Sequence, residues 1–265
     1  MNETLSLKKS IDESSQVAAV SLKKLGLSDT KANVILALDV SGSTYSMYMN
    51  RSVQDFVVRI LGLAKNFHTS DKVPVYVFGD TASKIGVLDI NNITSSKILE
   101  AYTKEYVGRS TNFTQLFNLI VEQHLKTNGT KVRKRLTKEV GFFTRIYHAI
   151  FNIKPEFEIV NSNSAECIPT YIVVMTDGQP SDEYDAIQAL IKASQYPIFF
   201  QFVAISSDKI SFLEKMDSDV KGRLIDNANV FYSKTPNFYS DDVLYGKLLQ
   251  EYPSYLKEAK KINLI

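Results

Sequence analysis

The chain has a single cysteine, Cys167, which leaves no intrachain disulfide and no cysteine cluster for zinc. No histidine lies close enough in sequence to activate it, so Cys167 reads as an inert thiol near a strand start. Neither sign of charge is in excess: 31 Lys and Arg against 29 Asp and Glu give a net +2. The field of the whole molecule therefore points neither to nucleic acid nor to an acidic partner. No stretch approaches the ~18 consecutive apolar residues of a membrane-spanning helix, so no membrane contact is expected. The opening MNETLSLKKSIDESSQ lacks the basic-then-apolar layout of a secretory leader. A cytoplasmic location is expected from these absences. Neither Gly-x-Gly-x-x-Gly nor Gly-x-x-x-x-Gly-Lys-Ser/Thr occurs, which removes the glycine-rich nucleotide loops. The three histidines, His68, His124 and His148, share no motif and are expected at the surface or half-buried.

What is present is apolar patterning. With 265 residues, 44% of them hydrophobic, one sizeable core can form and two domains are not demanded. Residues 1–28 read as an extension, in which SLKK occurs at 6–9 and again at 21–24; the repeat fits a small hairpin, two short strands, or equally a chance recurrence of common residues. From Asn33 the periodicity alternates. NVILALD is a continuous apolar run, as a parallel strand buried on both faces requires. SVQDFVVRILGLAKNFHT has helical spacing, and VPVYVFGD (73–80) is strand-like. ASKIGVLDI (82–90) follows a Gly-Asp turn as a hairpin partner at a sheet edge. Helices are expected at 95–104, 113–125, 181–194, 208–216 and 241–261, the last kinked or stopped near Pro253. Ser181 is the expected cap of the third. PTYIVVMTDG (169–178), PIFFQFVAIS (197–206) and NANVFYS (227–233) supply further strands. The alternation predicts an α/β fold: a doubly wound, mostly parallel central sheet flanked by helices, with one antiparallel edge strand. Ligands of such sheets bind at the carboxyl ends of strands, near the switch point.

The polar residues collect at that edge. Asp39 ends the first apolar strand, and Ser41 and Ser43 follow at alternate positions, with Gly42 allowing a sharp turn between them. Thr111 in GRSTNF and Asp177 in TDGQPSD stand in loops just before helices. A carboxylate with hydroxyls is a hard-oxygen set suited to Mg2+ or Mn2+. Asp-x-Ser-x-Ser alone fits an ordinary capped turn. Joined to Thr111 and Asp177, it becomes a candidate cation site.

Asp39-Val40-Ser41-Gly42-Ser43, Thr111 and Thr176-Asp177-Gly178 resemble the metal-ion-dependent adhesion site of von Willebrand factor A (vWA) domains, over about residues 33–233. The resemblance implies that Ser41, Ser43 and Thr111 approach the cation directly, with Asp39 and Asp177 close by through water. It also implies an open position for an acidic residue of a partner protein. VSLKKLGL, ANVILALDVSGSTYSMY, VPVYVFGDTASKIG and RSTNFTQL are similar to the bacterial tellurium-resistance and stress-response branch of these domains, which is cytoplasmic. Residues 29–265 are then the vWA-like domain.

One segment departs from that pattern. An insertion at about 126–168 exceeds the usual connection of ~2–6 residues. Between Lys126 and Arg145 it carries Lys126, Lys131, Arg133, Lys134, Arg135, Lys138 and Arg145 against one acid, Glu139; KEVGFFTRIYHAIF within it has helical character. A basic run is usually a solvated face; here a nucleic-acid contact is the functional alternative. The second alternative is a metal-dependent phosphohydrolase with Asp39 as nucleophile. DVSGST resembles the Asp-x-Asp-x-Thr loop of haloacid-dehalogenase-like enzymes, but Ser41 stands where their general acid would be. The main expectation is a non-enzymatic module that uses a divalent cation, Mg2+ first and Mn2+ or Ca2+ next, to hold a partner carboxylate.

Overall fold

A computed structural model of the chain describes residues 3–94, 110–128, 131–135, 157–161, 167–218 and 220–265. The apolar runs become strands: β1 (Asn33–Asp39), β2 (Lys72–Phe78), β3 (Ala82–Asp89), β6 (Thr170–Thr176), β7 (Ile198–Ile205) and β8 (Ala228–Ser233). Every residue of β6 and β7 is buried, as continuous hydrophobic strands between two helical layers must be. They form one six-stranded sheet in the order β3-β2-β1-β6-β7-β8. All pairings are parallel except β2 with β3, the antiparallel edge expected from ASKIGVLDI. The chain leaves β1 toward β2 on one side and returns to β6 on the other, so the switch point falls between β1 and β6.

The helices are α1 (Glu3–Lys24), α2 (Tyr45–Met49), α3 (Ser52–Phe67), α4 (Phe113–Asn128), α5 (Glu183–Ala193), α6 (Ser211–Ser218), α7 (Asp241–Leu249) and α8 (Tyr252–Lys261). Alternate strand residues feed two cores. Val34, Leu36, Leu38, Tyr171 and Val173 pack with α1, α3, α7 and α8. Ile35, Ala37, Ile172, Val174 and Phe202 pack with α4, α5 and α6.

Among the described residues of the N-terminal extension, 3–28, there is no hairpin and no short strand. They carry one long helix, because Leu7, Ile11, Ala18 and Leu22 recur at helical spacing and are all buried in the first core. α1 lies so close to α3 that a Cβ on Gly62 would sit 2.7 Å from Ser14 Cβ. Polar bonds lock the seam: Asn66 donates to the Ser15 carbonyl, and Arg59 Nε lies 3.0 Å from the Asp241 carboxylate that also accepts from Ser14. The expected terminal helix is two helices, with Pro253 in the first turn of α8, where its missing N–H costs nothing.

The helices expected at 95–104 and within 138–151, and His148, lie outside the described residues. In the insertion, β4 (Lys131–Arg135) and β5 (Phe157–Asn161) pair antiparallel as a separate ladder, a pairing the sequence did not suggest. Cys167 is buried three residues before β6.

His124 is not at the surface: it is 1% exposed, with Nδ1 2.7 Å from Thr170 Oγ1. Burial pushes its pKa down from 6.5 to about 4. The folded state thus resists protonation that the unfolded chain accepts. His124 contributes full stability above pH 6.5 and loses it as pH falls toward about 4, by up to about 3 kcal/mol. Wild type and His124→Gln should therefore differ in unfolding free energy by an amount that shrinks as pH drops from 7 to 4, measured by urea titration at each pH. A pH-independent difference would show that His124 titrates normally.

Candidate metal centre

Asp39, at the carboxyl end of β1, is 0% exposed. Its Oδ1 accepts the Ser41 N–H at 2.8 Å and its Oδ2 accepts the Thr176 hydroxyl at 2.6 Å. The backbone carbonyl of Asp39 is held as well, by Tyr48 Oη at 2.9 Å and Thr44 Oγ1 at 3.2 Å. These bonds fix the loop that follows. Gly42 is not needed for a glycine-only conformation: its φ is not positive, and a Cβ there would meet nothing within 4 Å. A single 3-10 turn, Gly42–Thr44, makes the bend instead, closed by Thr44 Oγ1 on the Ser41 carbonyl at 2.8 Å.

The turn brings the two serine hydroxyls to 3.1 Å from each other, and Ser43 Oγ donates to Asp177 Oδ1 at 2.8 Å. Asp39, Ser41, Ser43 and Asp177 are thus one hydrogen-bonded cluster spanning β1 and β6. Thr111 lies beside it rather than in it. Its hydroxyl faces the 177–178 turn, 3.7 Å from where a Gly178 Cβ would be, and makes no hydrogen bond to the other four.

Thr111 is held by its neighbours. The Ser181 N–H and hydroxyl both donate to its carbonyl, at 2.9 and 3.2 Å. Before it, Ser110 donates through N–H and hydroxyl to Asp80. After it, the first two N–H groups of α4, Phe113 and Thr114, donate to the Asp182 carboxylate at 3.1 and 2.7 Å. Ser181 therefore does not cap α5, as its position suggested. Ser181 and Asp182 serve the Thr111 loop and the neighbouring helix. Thr176, Thr44, Tyr48, Asp80 and Asp182 support the site, and sequence reasoning gave none of them this role. Thr176 offered the one signal: a hydroxyl closing an otherwise apolar strand beside another strand that ends in a carboxylate.

Both carboxylates of the cluster sit where burial disfavours their charge. Burial raises the Asp39 carboxyl from 3.8 to about 6 against the hydrogen bonds from Thr176 and Ser41. Burial also raises Asp177, opposed by Ser43. Among the described residues, no three His, Cys, Asp or Glu side chains converge as a metal cluster, so here hydroxyls would be most of the ligand set. Hydroxyl and carboxylate oxygens gathered at 3.1 and 2.8 Å from one another are a donor set of the hard kind that a small divalent cation takes.

A doubly wound sheet whose carboxyl edge gathers these hydroxyls and carboxylates defines a von Willebrand factor A-type domain. A family model described as the vWA found in the TerF C terminus matches residues 31–265, and the chain belongs to this vWA-TerF-like family. It is 28% identical over 259 residues to the uncharacterized protein YcbR of Bacillus subtilis (strain 168), covering 96% of this chain and 90% of YcbR. Among solved structures, proximal thread matrix protein 1 of the mussel byssus aligns at TM-score 0.47 and 15% identity; the alignment covers 83% of this chain but only 47% of that one. Manganese-loaded TRAP protein of Plasmodium vivax aligns at TM-score 0.45 and 15% identity, over 85% of this chain and 74% of that one.

Without a cation, the charge on buried Asp39 is a burden at neutral pH. Its raised pKa means that its contribution is fully present below pH 3.8 and lost as pH rises through about 6. Asn keeps the shape, can still accept the Ser41 N–H, and carries no charge. In EDTA at pH 7.5, Asp39→Asn should be more stable than wild type by about 1–3 kcal/mol, read by urea unfolding, and the gain should vanish near pH 4. A variant less stable in EDTA would show that the ionised carboxylate holds the loop by itself.

Proposed function

We propose that this chain is a non-enzymatic protein-binding module whose Ser41, Ser43, Thr111, Asp39 and Asp177 hold a divalent cation that grips a partner carboxylate. The observation that carries the reading is the oxygen edge at the mouth of the site, Ser41–Ser43–Asp177, spaced at 3.1 and 2.8 Å above a sealed Asp39. Hydroxyl and carboxylate oxygens are hard ligands of the kind that suit Mg2+ or Mn2+. The hydroxyls are neutral and leave a cation's charge undercompensated, which a partner Asp or Glu would balance. Asp39 is poorly placed to be a phosphohydrolase nucleophile, because both its oxygens are engaged and none of it is exposed. Assignment to a tellurium-resistance or stress system rests on the family description, the vWA found in the TerF C terminus.

Mg2+ should stabilise the wild type, by about 2.7 kcal/mol at one hundred times its dissociation constant, and Ser41→Ala/Ser43→Ala should lose that response. Thermal unfolding with and without 10 mM MgCl2 reads it. A double variant stabilised as much as wild type would place the ion elsewhere, and a partner complex that survives EDTA would reject the metal bridge.

A second reading rests on the β4–β5 ladder. Its register pairs Lys131 with Asn161, Arg133 with Ile159 and Arg135 with Phe157, so three cations of the basic run fall at alternate positions of one ladder strand, a concentration of positive charge suited to phosphates. If those three cations meet phosphates, the logarithm of affinity for a labelled 20-mer RNA should fall with the logarithm of salt at a slope of about −2, by fluorescence anisotropy. Binding indifferent to salt, or unchanged in Lys131→Glu/Arg133→Glu/Arg135→Glu, rejects this reading.

A further inference from the structure

Asp182 stands at the cap position of α5, yet its side chain bonds none of α5's own N–H groups. Both its oxygens go to α4 instead. Oδ1 accepts the Phe113 N–H at 3.1 Å and Oδ2 the Thr114 N–H at 2.7 Å. α4 already has a cap of its own, since Asn112 Oδ1 accepts the Gln115 N–H at 3.2 Å. That cap leaves the first two donors of the helix, and Asp182 takes them. Leaving α5 uncapped costs stability, and a residue set against its local preference marks a place where position matters more.

The bonds from this loop converge on the segment that carries Thr111. Ser181 adds its N–H and hydroxyl to the Thr111 carbonyl, at 2.9 and 3.2 Å. From the other side, the end of β2 holds the same segment: the Asn112 N–H donates to the Gly79 carbonyl at 2.9 Å, and Ser110 donates to Asp80. The β2 bonds fix the segment to the sheet. Those from Ser181 and Asp182 fix it to the loop that carries Asp177. Thr111 faces that loop at van der Waals distance, its hydroxyl 3.7 Å from the place of a Gly178 Cβ. The body of α4 does not need this hold. Phe113 is fully buried, and its ring packs with those of Phe78, Phe117, Phe202 and Phe212. What Asp182 decides is where the first turn of α4, and the hydroxyl just before it, stand against Asp177.

We propose that Asp182 is a positioning residue for the cation site: by holding the first turn of α4 to the Asp177 loop, it seats the Thr111 hydroxyl at the site. It acts through Thr111 and is not itself a ligand. This rests on the metal-bridge reading above.

Titration calorimetry with MgCl2 on the full chain compares wild type, Thr111→Val, Asp182→Ala and the double variant. Groups that orient metal ligands are worth about 10–100-fold in affinity, so each single variant should bind Mg2+ at least about tenfold more weakly. Thr111→Ser keeps the hydroxyl and should bind like wild type. Because Asp182 acts through Thr111, the two losses should not add, and the double variant should bind within about threefold of the weaker single variant. A second readout needs no metal. In EDTA, the Phe113 and Thr114 amides of Asp182→Ala should exchange hydrogen about tenfold faster than in wild type, while those of Val173 and Val174 in β6 keep their protection. Asp182→Asn keeps one accepting oxygen; it should show the same non-additive loss at smaller size, and it carries the cycle if Asp182→Ala does not fold. Losses that multiply in the double variant overturn the inference and leave the metal site standing. So does an Asp182→Ala or a Thr111→Val chain that binds Mg2+ like wild type. A wild type that does not bind Mg2+ overturns the metal reading, and the inference with it.

Discussion

The buried carboxylate of Asp39 is the constraint on which the rest of the site depends. A charge-bearing group with no exposure is tolerated only if its oxygens are satisfied, and each one is: one by the Ser41 N–H, the other by the Thr176 hydroxyl. The first bond turns the chain as it leaves β1; the second ties β1 to the neighbouring strand β6. Tyr48 and Thr44 then close on the same residue's carbonyl, which anchors α2 beneath the loop. The turn, α2, β6 and β1 meet on one residue, and Ser41 stays buried while Ser43 stands exposed above it.

The loop between β6 and α5 plays the matching part on the other side. Asp177 at its start takes the Ser43 hydroxyl, and Asp182 at its end takes the first N–H groups of α4. One short loop thereby links the serine turn to the Thr111 segment, which no strand pairing brings together. A carboxylate at a helix N-terminus satisfies orphan donors and complements the helix dipole whichever segment it comes from. Here it comes from a neighbouring helix's cap position.

The sheet was legible because burial on both faces leaves continuous apolar runs, and NVILALD, TYIVVMT and IFFQFVAI are such runs. The antiparallel edge was legible from its Gly-Asp turn. The N-terminal helix was not. Its stripe of Leu7, Ile11, Ala18 and Leu22 is interrupted by Ser14 and Ser15, which read as polar but are buried against Gly62 and Asn66. Small side chains at a close helix crossing weaken the hydrophobic signal that reveals a helix. At the site, the residues bearing hydroxyls and carboxylates could be named from their place at strand ends. Their mutual geometry could not, because Asp182 and Ser181 spend their hydrogen bonds on a segment about seventy residues away, and local capping rules assign them to their own helix.

The α1 seam and the metal candidate are parts of one scaffold. α3 follows the serine turn after only α2, so any slide of α3 would move Ser41 and Ser43 against Asp177. Gly62 against Ser14 leaves no room for such a slide toward α1, and Arg59 bonds the Tyr239 carbonyl and the Asp241 carboxylate from the same helix. Mg2+ tolerates little departure from octahedral geometry, so a site made mainly of neutral hydroxyls can hold it only where the oxygens are already spaced for it. If Ser41 and Ser43 hold a cation, packing far from the site would do for them what extra carboxylates do in other metal sites. It fixes the positions of the hydroxyls without adding negative charge.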